Sequence, residues 1–308
     1  MLASAAVNIL FASEMEKLQS WLPLLSQALP HDRITTSLDD KIDVALVATP
    51  PKGTLKKLGR VKLIQSLWMG VEGLLADPDY PKGVPLARLV DPGMVAAMSE
   101  TVLAHVLDWH RRHNQYRVQQ RSREWTRLTQ YMASDRTVGL LGLGELGTDA
   151  ARHLLPLGFN LVGWSRRAKH VDGMKCFTDL NETLLQSDVV VCLLPLTPQT
   201  RGILNASTLG RMKRKGCLIN VARGAHVVKA DLIAALDSGQ LSHAYLDVFE
   251  REPLPQDDAL WAHPSVSITP HTAALTEPRT AVPKIVENVE RARRGEGPLN
   301  RVDFEAGY

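Results

Sequence analysis

Short apolar runs alternate with longer amphipathic stretches over the first hundred residues of the chain. The apolar runs at residues 7–11, 44–47, 63–67 and 86–89 have the length of buried strands, and residues 14–28 carry apolar positions at helical spacing. Strands that alternate with helices in this way are typical of a parallel sheet covered by helices. We therefore predict an α/β domain at the start of the chain.

The pattern changes near residue 97. From there to residue 120, apolar residues such as Val102 and Val106 recur at helical spacing without interruption. The stretch that follows, residues 121–136, is polar. We predict one long helix over residues 97–120 that connects two domains.

A second alternating series begins at Thr137. It predicts six short strands, with helices between them, at residues 138–141, 160–164, 189–194, 217–221, 244–247 and 266–269. Six strands in this arrangement suit a doubly wound dinucleotide-binding domain. The tail, residues 278–294, is predicted to be a helix. Because the second series is complete without it, we expect this helix to return to the first domain.

The composition is that of an ordinary soluble protein. With 308 residues the chain is long enough for two domains, and 44% of its residues are hydrophobic and 22% are charged. The net charge is +3, from 36 basic and 33 acidic residues, and no long basic run is present. Nucleic acid is therefore a poor candidate for a partner.

The cysteines and the apolar runs bear on cellular location. Cys176, Cys192 and Cys217 are scattered and form no CxxC pair, which favours a reducing cytoplasm. No run of about 18 apolar residues is present, so we predict no membrane-spanning helix. The apolar start of the sequence lacks a basic segment and is soon followed by Glu14. We interpret it as a buried strand rather than a signal peptide.

A glycine-rich segment, GLGELG, follows the first strand of the second series. Its G-x-G-x-x-G spacing lies between an apolar strand and a predicted helix. Glycines there permit a tight turn, a close approach of the backbone to a pyrophosphate and tight helix–strand packing. A glycine-rich turn without a ligand is the alternative, and the strand–helix context disfavours it. The predicted cofactor-binding residues of this segment are Gly142, Leu143, Gly144, Glu145, Leu146 and Gly147.

The segment GWSRR indicates which dinucleotide binds. An acidic residue that binds the ribose 2′-hydroxyl normally lies about 20 residues after the glycines. Here Ser165, Arg166 and Arg167 occupy that region. A guanidinium matches phosphate oxygens with two parallel donors. We therefore predict NADP, with NADPH preferred over NADH. The alternative is that both arginines belong to a solvated loop.

Three later segments each place polar residues near the end of a predicted strand, where ligands bind in such folds. They are INVARG with Arg223, LDVFEREPLP with Asp247 and Glu252, and TPHTAA with His271. Reduction of a 2-keto acid needs a cation for the substrate carboxylate and an acid for the keto oxygen. It also benefits from a carboxylate that keeps a histidine acid protonated and oriented. Arg223, His271 and Glu252 suit these roles in that order.

Each of these residues also has an ordinary structural interpretation. An arginine after a strand can cap a carbonyl group, and His271 can be a structural histidine beside Pro270. Glu252 can lie in a solvated loop, and Glu250 competes with it for the carboxylate role. Spacing alone leaves the roles undecided.

Taken in order, the segments GLGELG, LLPLTPQTRGIL, INVARG, LDVFEREPLP and TPHTAA resemble the D-isomer-specific 2-hydroxyacid dehydrogenases. The likeness runs from the first strand to the C-terminus. It implies an α/β fold of two doubly wound parallel-sheet domains, in which a Rossmann NAD(P) domain is inserted into a discontinuous, flavodoxin-like substrate domain. The implied boundaries are 1–98 and 277–308 for the substrate domain and 99–276 for the NAD(P) domain. A homodimer is also implied.

The resemblance also implies individual roles. It assigns Arg223 to the substrate carboxylate and carbonyl, His271 to proton transfer and Glu252 to the histidine, which decides between Glu250 and Glu252. Asp247 would lie near the nicotinamide carboxamide. The further cofactor-binding residues that it implies are Leu194, Pro195, Pro198, Val221, Ala222 and Ala273.

The predicted substrate pocket departs from the family pattern. Besides Arg223 and His271, the predicted substrate-binding residues are Ala48, Trp68, Met69 and Gly70. Relatives carry a Trp-His pair where this chain has Ala48-Thr49, and small residues where it has Trp68-Met69. We therefore expect a reshaped pocket wall.

Three histidines near the middle of the chain raise the question of a metal site. His105, His110 and His113 lie on the predicted long helix, flanked by arginines and without an acidic cluster. We predict a solvated helix face and no metal.

The function that these observations favour is NADPH-dependent reduction of a small 2-keto acid, glyoxylate or hydroxypyruvate, to the 2-hydroxy acid. One alternative is a reductase specific for a larger 2-keto acid. Another is a dinucleotide-sensing regulator with the same fold, which the scarcity of sequence outside the two domains disfavours. We expect neither nucleic acid nor membrane as a partner.

Overall fold

The computed structural model describes residues 6–38 and 41–308. The chain divides into two compact units. Unit 1 consists of the described residues up to Met94 together with Leu275–Tyr308, and unit 2 consists of Val95–Ala274. The divisions therefore fall after residues 94 and 274, compared with the predicted divisions after residues 98 and 276.

Among its described residues, unit 1 contains a sheet of five parallel strands in the order β2-β1-β3-β4-β5. These strands are β1 Asn8–Ser13, β2 Arg33–Thr35, β3 Val44–Ala48, β4 Leu63–Ser66 and β5 Leu86–Ala87. Its helices are α1 Leu18–Ala28, α2 Glu72–Leu75 and the C-terminal helix, Pro278–Arg293.

Successive side chains of the unit 1 strands point to opposite faces, and both faces are apolar. Ile9 and Phe11 belong to a core cluster that also contains Trp21 of α1 and Ile285 of the C-terminal helix. Leu10, between them, belongs to a separate cluster on the other face. The C-terminal helix therefore packs against the sheet formed by the start of the chain.

Unit 2, every residue of which the structure describes, contains seven parallel strands in the order β12-β11-β10-β9-β6-β7-β8. They are β6 Thr137–Leu141, β7 Asn160–Trp164, β8 Met174–Phe177, β9 Val189–Cys192, β10 Gly216–Asn220, β11 Leu241–Leu246 and β12 Val266–Ile268. The chain runs outward from β6 to β8 and then resumes on the other side of β6 at β9. The predicted doubly wound α/β fold is confirmed, and its topological switch point lies between β6 and β9.

The remaining helices are α3 Pro92–His110, α4 His113–Ser122, α5 Glu145–Leu154, α6 Leu180–Gln186, α7 Ala206–Leu209 and α8 Lys229–Asp237, so that Pro278–Arg293 is α9. In the part of the chain that the structure describes, no helix is long and apolar enough to cross a membrane.

The predicted single helix over residues 97–120 is wrong in two respects. Helix α3 begins at Pro92, because Asp91 Oδ1 accepts hydrogen bonds from the backbone N–H groups of Gly93 at 2.9 Å and Met94 at 3.1 Å. The helix then ends at His110. Arg112 has a left-handed conformation with φ of +60°, and α4 starts after it.

The predicted solvated histidine face is also wrong for His110. This side chain is only 6% exposed and packs edge-on against Phe159 at 5.1 Å between ring centroids. His105 stacks on Tyr245 at 4.7 Å, and only His113 is exposed. Within the described residues, no group of histidine, cysteine and acidic side chains is arranged to hold a metal ion.

Candidate active site

The predicted glycine segment connects β6 to α5. Gly142 has a φ of +104°, and its N–H donates to the carbonyl of Trp164 at the end of β7. A side chain at Gly147 would overlap the carbonyl oxygen of Gly142, so helix and turn pack without space for one. At Gly144, by contrast, an added Cβ would meet no atom within 4 Å. The backbone at Gly144 is therefore open to a ligand, as a pyrophosphate site requires.

Gly144 is also the N-cap of α5, and within the described residues no side chain caps this helix end. The first-turn N–H groups of a helix attract anions through hydrogen bonds and the helix dipole. Leu143, Glu145 and Leu146 complete the segment that can hold the pyrophosphate.

The residues after β7 form a cationic, exposed loop beside this turn. The hydroxyl of Ser165 donates to the carbonyl of Arg167 at 2.7 Å, and Arg166 and Arg167 are exposed. Lys169 also belongs to this loop, and its Nζ donates to the carbonyl of Leu143 in the glycine segment at 2.6 Å. No pattern in the sequence singles out Lys169. This contact joins the arginine loop directly to the glycine turn, so the two can bind one dinucleotide.

Most of the other predicted cofactor residues line the carboxyl ends of the strands. Pro195 follows β9, and its carbonyl accepts a hydrogen bond from the hydroxyl of Thr200 at 2.7 Å. Pro195 is half-buried and Pro198 is exposed, whereas four of these residues are buried: Leu194, Val221, Ala222 and Ala273.

Arg223 follows the end of β10, and its backbone is held from two sides. The side-chain amide of Asn220 donates to the Arg223 carbonyl at 2.9 Å, and Nδ1 of His226 lies 3.1 Å from the same oxygen. A side chain at Gly224 would overlap the backbone of Phe249. The loop after β10 is therefore in direct contact with the loop after β11.

The loop after β11 carries Glu252, which contacts His271 after β12. Glu252 Oε2 lies 2.7 Å from Nδ1 of His271, while Oε1 accepts a hydrogen bond from the backbone N–H of Phe249 at 2.9 Å. Glu250 instead lies 3.5 Å from Arg201. With Nδ1 of His271 occupied by a carboxylate, Nε2 is the nitrogen that can exchange a proton with a substrate. His271 is about half exposed, with a side-chain exposure of 49%.

Asp247 fixes the turn that carries His271. Its carboxylate accepts hydrogen bonds from the Thr269 hydroxyl at 2.6 Å and from the N–H groups of Thr272 at 2.9 Å and Ala273 at 3.0 Å. The Asp247 carbonyl accepts from the N–H of His271 at 2.8 Å. These bonds hold His271 at a φ of +53°, a left-handed conformation that costs energy for a non-glycine residue.

Helix α3 supports the same turn from its other side. The hydroxyl of Thr101 donates to the carbonyl of Ala273 at 2.9 Å. One turn later, burial lowers the pKa of His105, against the opposing effects of Asp247 and Asp108. No pattern in the sequence predicts these contacts of α3.

The predicted substrate residues of unit 1 lie at the carboxyl ends of β3 and β4. Ala48 is 1% exposed and belongs to the apolar core, whereas Trp68, Met69 and Gly70 are half-buried. The Trp68 backbone is fixed by two hydrogen bonds, from its N–H to Ser66 Oγ at 3.0 Å and from the N–H of Leu89 to its carbonyl at 3.0 Å. The side chain of Trp68, rather than that of Ala48, is therefore the accessible surface here.

In chemical terms, unit 2 combines a dinucleotide-type turn with a histidine–carboxylate pair and an arginine on an adjoining loop. The pair can hold a proton at Nε2 of His271, and the arginine can bind an anion. Such a set suits proton transfer to or from the oxygen of a substrate that carries a carboxylate.

Comparison with known proteins agrees with this chemistry. A family model described as "D-isomer specific 2-hydroxyacid dehydrogenase, NAD binding domain" matches residues 103–273. The glyoxylate/hydroxypyruvate reductase A of Serratia proteamaculans is 40% identical over 313 residues, which cover 98% of this chain and 100% of that protein.

Two solved structures resemble the whole chain. One is a D-isomer specific 2-hydroxyacid dehydrogenase from Xanthobacter autotrophicus Py2 in complex with NADPH and MES, with a TM-score of 0.95 and 41% identity over 99% of this chain and 100% of that one. The other is the NADPH-dependent glyoxylate/hydroxypyruvate reductase of Sinorhizobium meliloti in complex with NADP and sulfate, with a TM-score of 0.91 and 35% identity over 98% of this chain and 100% of that one.

Proposed function

Since the chain belongs to the D-isomer-specific 2-hydroxyacid dehydrogenase family, we propose that it uses NADPH to reduce a small 2-keto acid, glyoxylate or hydroxypyruvate, to the 2-hydroxy acid. The observation that carries the proposal is the contact of 2.7 Å between His271 and Glu252, on loops that follow neighbouring strands of a dinucleotide-type sheet.

In this proposal Arg223 binds the substrate carboxylate and polarises the keto oxygen. His271 donates the proton on Nε2 to that oxygen, and Glu252 stabilises the imidazolium and fixes the plane of the ring. NADPH, when bound, supplies the hydride for the keto carbon. The N–H groups of Met69 and Gly70 are further donors for the substrate carboxylate.

The preference for NADPH is supported by the loop after β7. Arg166, Arg167 and Lys169 place three cationic side chains in that loop, and Ser165 lies where NAD-binding folds usually carry an acidic residue. The two relatives with solved structures were both obtained with an NADP cofactor. A 2′-phosphate is the group on the cofactor that these cations fit.

The size of the preferred substrate is a second point of the proposal. The name of the Serratia relative favours glyoxylate and hydroxypyruvate. The presence of Trp68 where the family pattern has small residues also favours a small substrate over the alternative of a larger 2-keto acid, because an added indole reduces the space for the substrate side chain. The preference for small or for larger 2-keto acids can be measured directly by enzyme assay.

We extend the proposal to a homodimer and a cytoplasmic location. Residues 111–136 carry exposed apolar side chains, with Val118 51%, Met132 70% and Trp125 97% exposed, and a second copy of the chain would cover such a surface. The three cysteines are free thiols, as in a reducing compartment. Sedimentation velocity of wild type and Trp125→Ser tests the dimer, which the substitution should weaken. A wild-type monomer at micromolar concentration would contradict the dimer proposal.

Product analysis tests the proposed reaction. Incubation with hydroxypyruvate and NADPH should yield glycerate in equal amount to the NADPH consumed, and chiral chromatography should identify it as the D-isomer. Formation of racemic or L-glycerate, or NADPH oxidation without glycerate, would overturn the proposal.

A further inference from the structure

A single carboxylate connects two tryptophans in unit 1. Glu16 Oε1 accepts a hydrogen bond from Nε1 of Trp68 at 2.8 Å, and Glu16 Oε2 accepts one from Nε1 of Trp21 at 3.1 Å. Trp21 lies in the core at 0% exposure, whereas Trp68 is half-buried and packs on the same core cluster. Glu16 therefore connects an accessible indole to a fully buried one.

This link lies at the carboxyl edge of the unit 1 sheet. Glu16 follows β1 and Trp68 follows β4, and β3 separates these two strands in the sheet. The loop after β1 also contacts the loop after β3, because the N–H of Glu14 donates to the carbonyl of Thr49 at 3.1 Å. Ligands of parallel α/β sheets bind at this edge. It is also the edge at which the proposed substrate residues of unit 1 lie.

Glu16 contacts the indole of Trp68, whereas other residues hold the Trp68 backbone. The orientation of the ring therefore depends on Glu16, and the position of the backbone does not. The Trp68 backbone is held by Ser66 and Leu89, independently of Glu16. The indole N–H is the only donor on its side chain, and a hydrogen bond to a carboxylate is stronger than one to a neutral acceptor. Glu16 is itself fixed, since its N–H donates to Ser13 Oγ at 2.7 Å. Removal of the carboxylate would leave the backbone in place and release the ring to other rotamers.

We propose that Glu16 is a positioning residue for substrate specificity: it holds the indole of Trp68 as one wall of the substrate pocket and so limits the size of the 2-keto acid side chain. The inference rests on the proposed function. The chemical class that it favours is a 2-keto acid with a short side chain, because a fixed indole excludes bulk that a mobile indole admits.

The test compares kcat/KM for phenylpyruvate and glyoxylate with NADPH. Glu16→Ala should raise the phenylpyruvate-to-glyoxylate ratio by about threefold to tenfold. Glu16→Gln keeps a side-chain oxygen as acceptor and should change the ratio less. An unchanged ratio in a folded Glu16→Ala protein would overturn the proposal, and Glu16→Leu, which also removes the acceptor, provides the same comparison if the alanine variant does not fold.

Two controls separate positioning from general loss of structure. Trp21→Phe removes the other indole donor of Glu16, and should lower the melting temperature while leaving the substrate ratio unchanged. In a Trp68→Phe background, where the side chain at position 68 has no N–H, Glu16→Ala should no longer alter the ratio. An equal shift of the ratio in both backgrounds would contradict the proposal. If wild type reduces neither keto acid, the proposed function itself fails, which is a distinct outcome.

Discussion

Glu252 and His271 contact each other across 2.7 Å although they belong to different loops of unit 2. Their loops follow β11 and β12, which are neighbours in the sheet, so the parallel arrangement brings the two side chains to the same edge. Asp247 then fixes the backbone of the turn in a left-handed conformation that directs His271 towards Glu252. The orientation of the histidine is thus set both at its ring and at its backbone.

This arrangement makes His271 the proposed proton donor. His271→Gln should retain NADPH binding, measured by fluorescence titration, while kcat falls by about 10²–10⁴, because the glutamine amide cannot deliver a proton. Glu252→Gln is a matched control that keeps a hydrogen-bond acceptor for the ring, and it should reduce kcat less. If His271→Gln reduces glyoxylate at close to the wild-type rate, His271 has no role in proton transfer.

The cationic loop after β7 should determine cofactor choice. The double substitution Arg166→Ala and Arg167→Ala should raise KM for NADPH by roughly ten- to a hundredfold, which corresponds to the loss of about 1.5–3 kcal/mol from a charge-assisted contact. KM for NADH should change little, since NADH carries no 2′-phosphate. An equal rise for both cofactors would indicate damage to the loop rather than loss of phosphate binding.

Trp68 should limit substrate size directly. Trp68→Ala removes the indole and should raise kcat/KM for phenylpyruvate relative to glyoxylate. A pocket discriminates by about 1–3 kcal/mol per methylene, so the effect should be readily measurable. The melting temperature provides the control, because Trp68 also packs on the core of unit 1. A lower melting temperature with an unchanged ratio would make Trp68 a structural residue only.

Acid should destabilise unit 2 through His243. Burial lowers the pKa of His243 to about 4 from 6.5, and Asp108 opposes this shift while Arg117, His263 and His105 add to it. Between these values the unfolded chain binds a proton that the folded protein does not, so stability is lost as the pH falls below 6.5. The loss should reach about 2 kcal/mol near pH 4.5.

Urea denaturation of wild type and His243→Gln at neutral and acidic pH measures this loss. The variant cannot gain the proton, so its free energy of unfolding should fall less on acidification. Parallel losses in both proteins would assign the acid sensitivity to other groups.

Sequence patterns predicted the central strands and the glycine turn because these depend on local features, namely buried apolar runs and required glycines. They failed at β2 and β8, which are edge strands of only three and four residues and are too short to show a clear pattern. They also failed at Arg112, where an arginine adopts a left-handed conformation for which its residue type gives no signal. Helix α3 was predicted to start late because the Asp91 cap was not recognised.

The candidate site likewise contains residues that the sequence predicts and contacts that it does not. The segments with Arg223, Glu252 and His271 could be selected from the sequence, because they follow predicted strands at the edge where ligands bind and because their order resembles the family. The contact of Lys169 with the glycine turn and the contact of Glu16 with Trp68 could not be predicted from the sequence. Glu16 and Trp68 are 52 residues apart, and only the order of the strands brings their loops together.

Steady-state kinetics of the wild-type protein with glyoxylate, hydroxypyruvate and phenylpyruvate, each with NADPH and with NADH, measures the proposed reaction and its cofactor preference together. We expect reduction of the small keto acids with NADPH, at a kcat/KM roughly tenfold or more above that with NADH. Equal use of NADH, or no reduction of any 2-keto acid with either cofactor, would contradict the proposal.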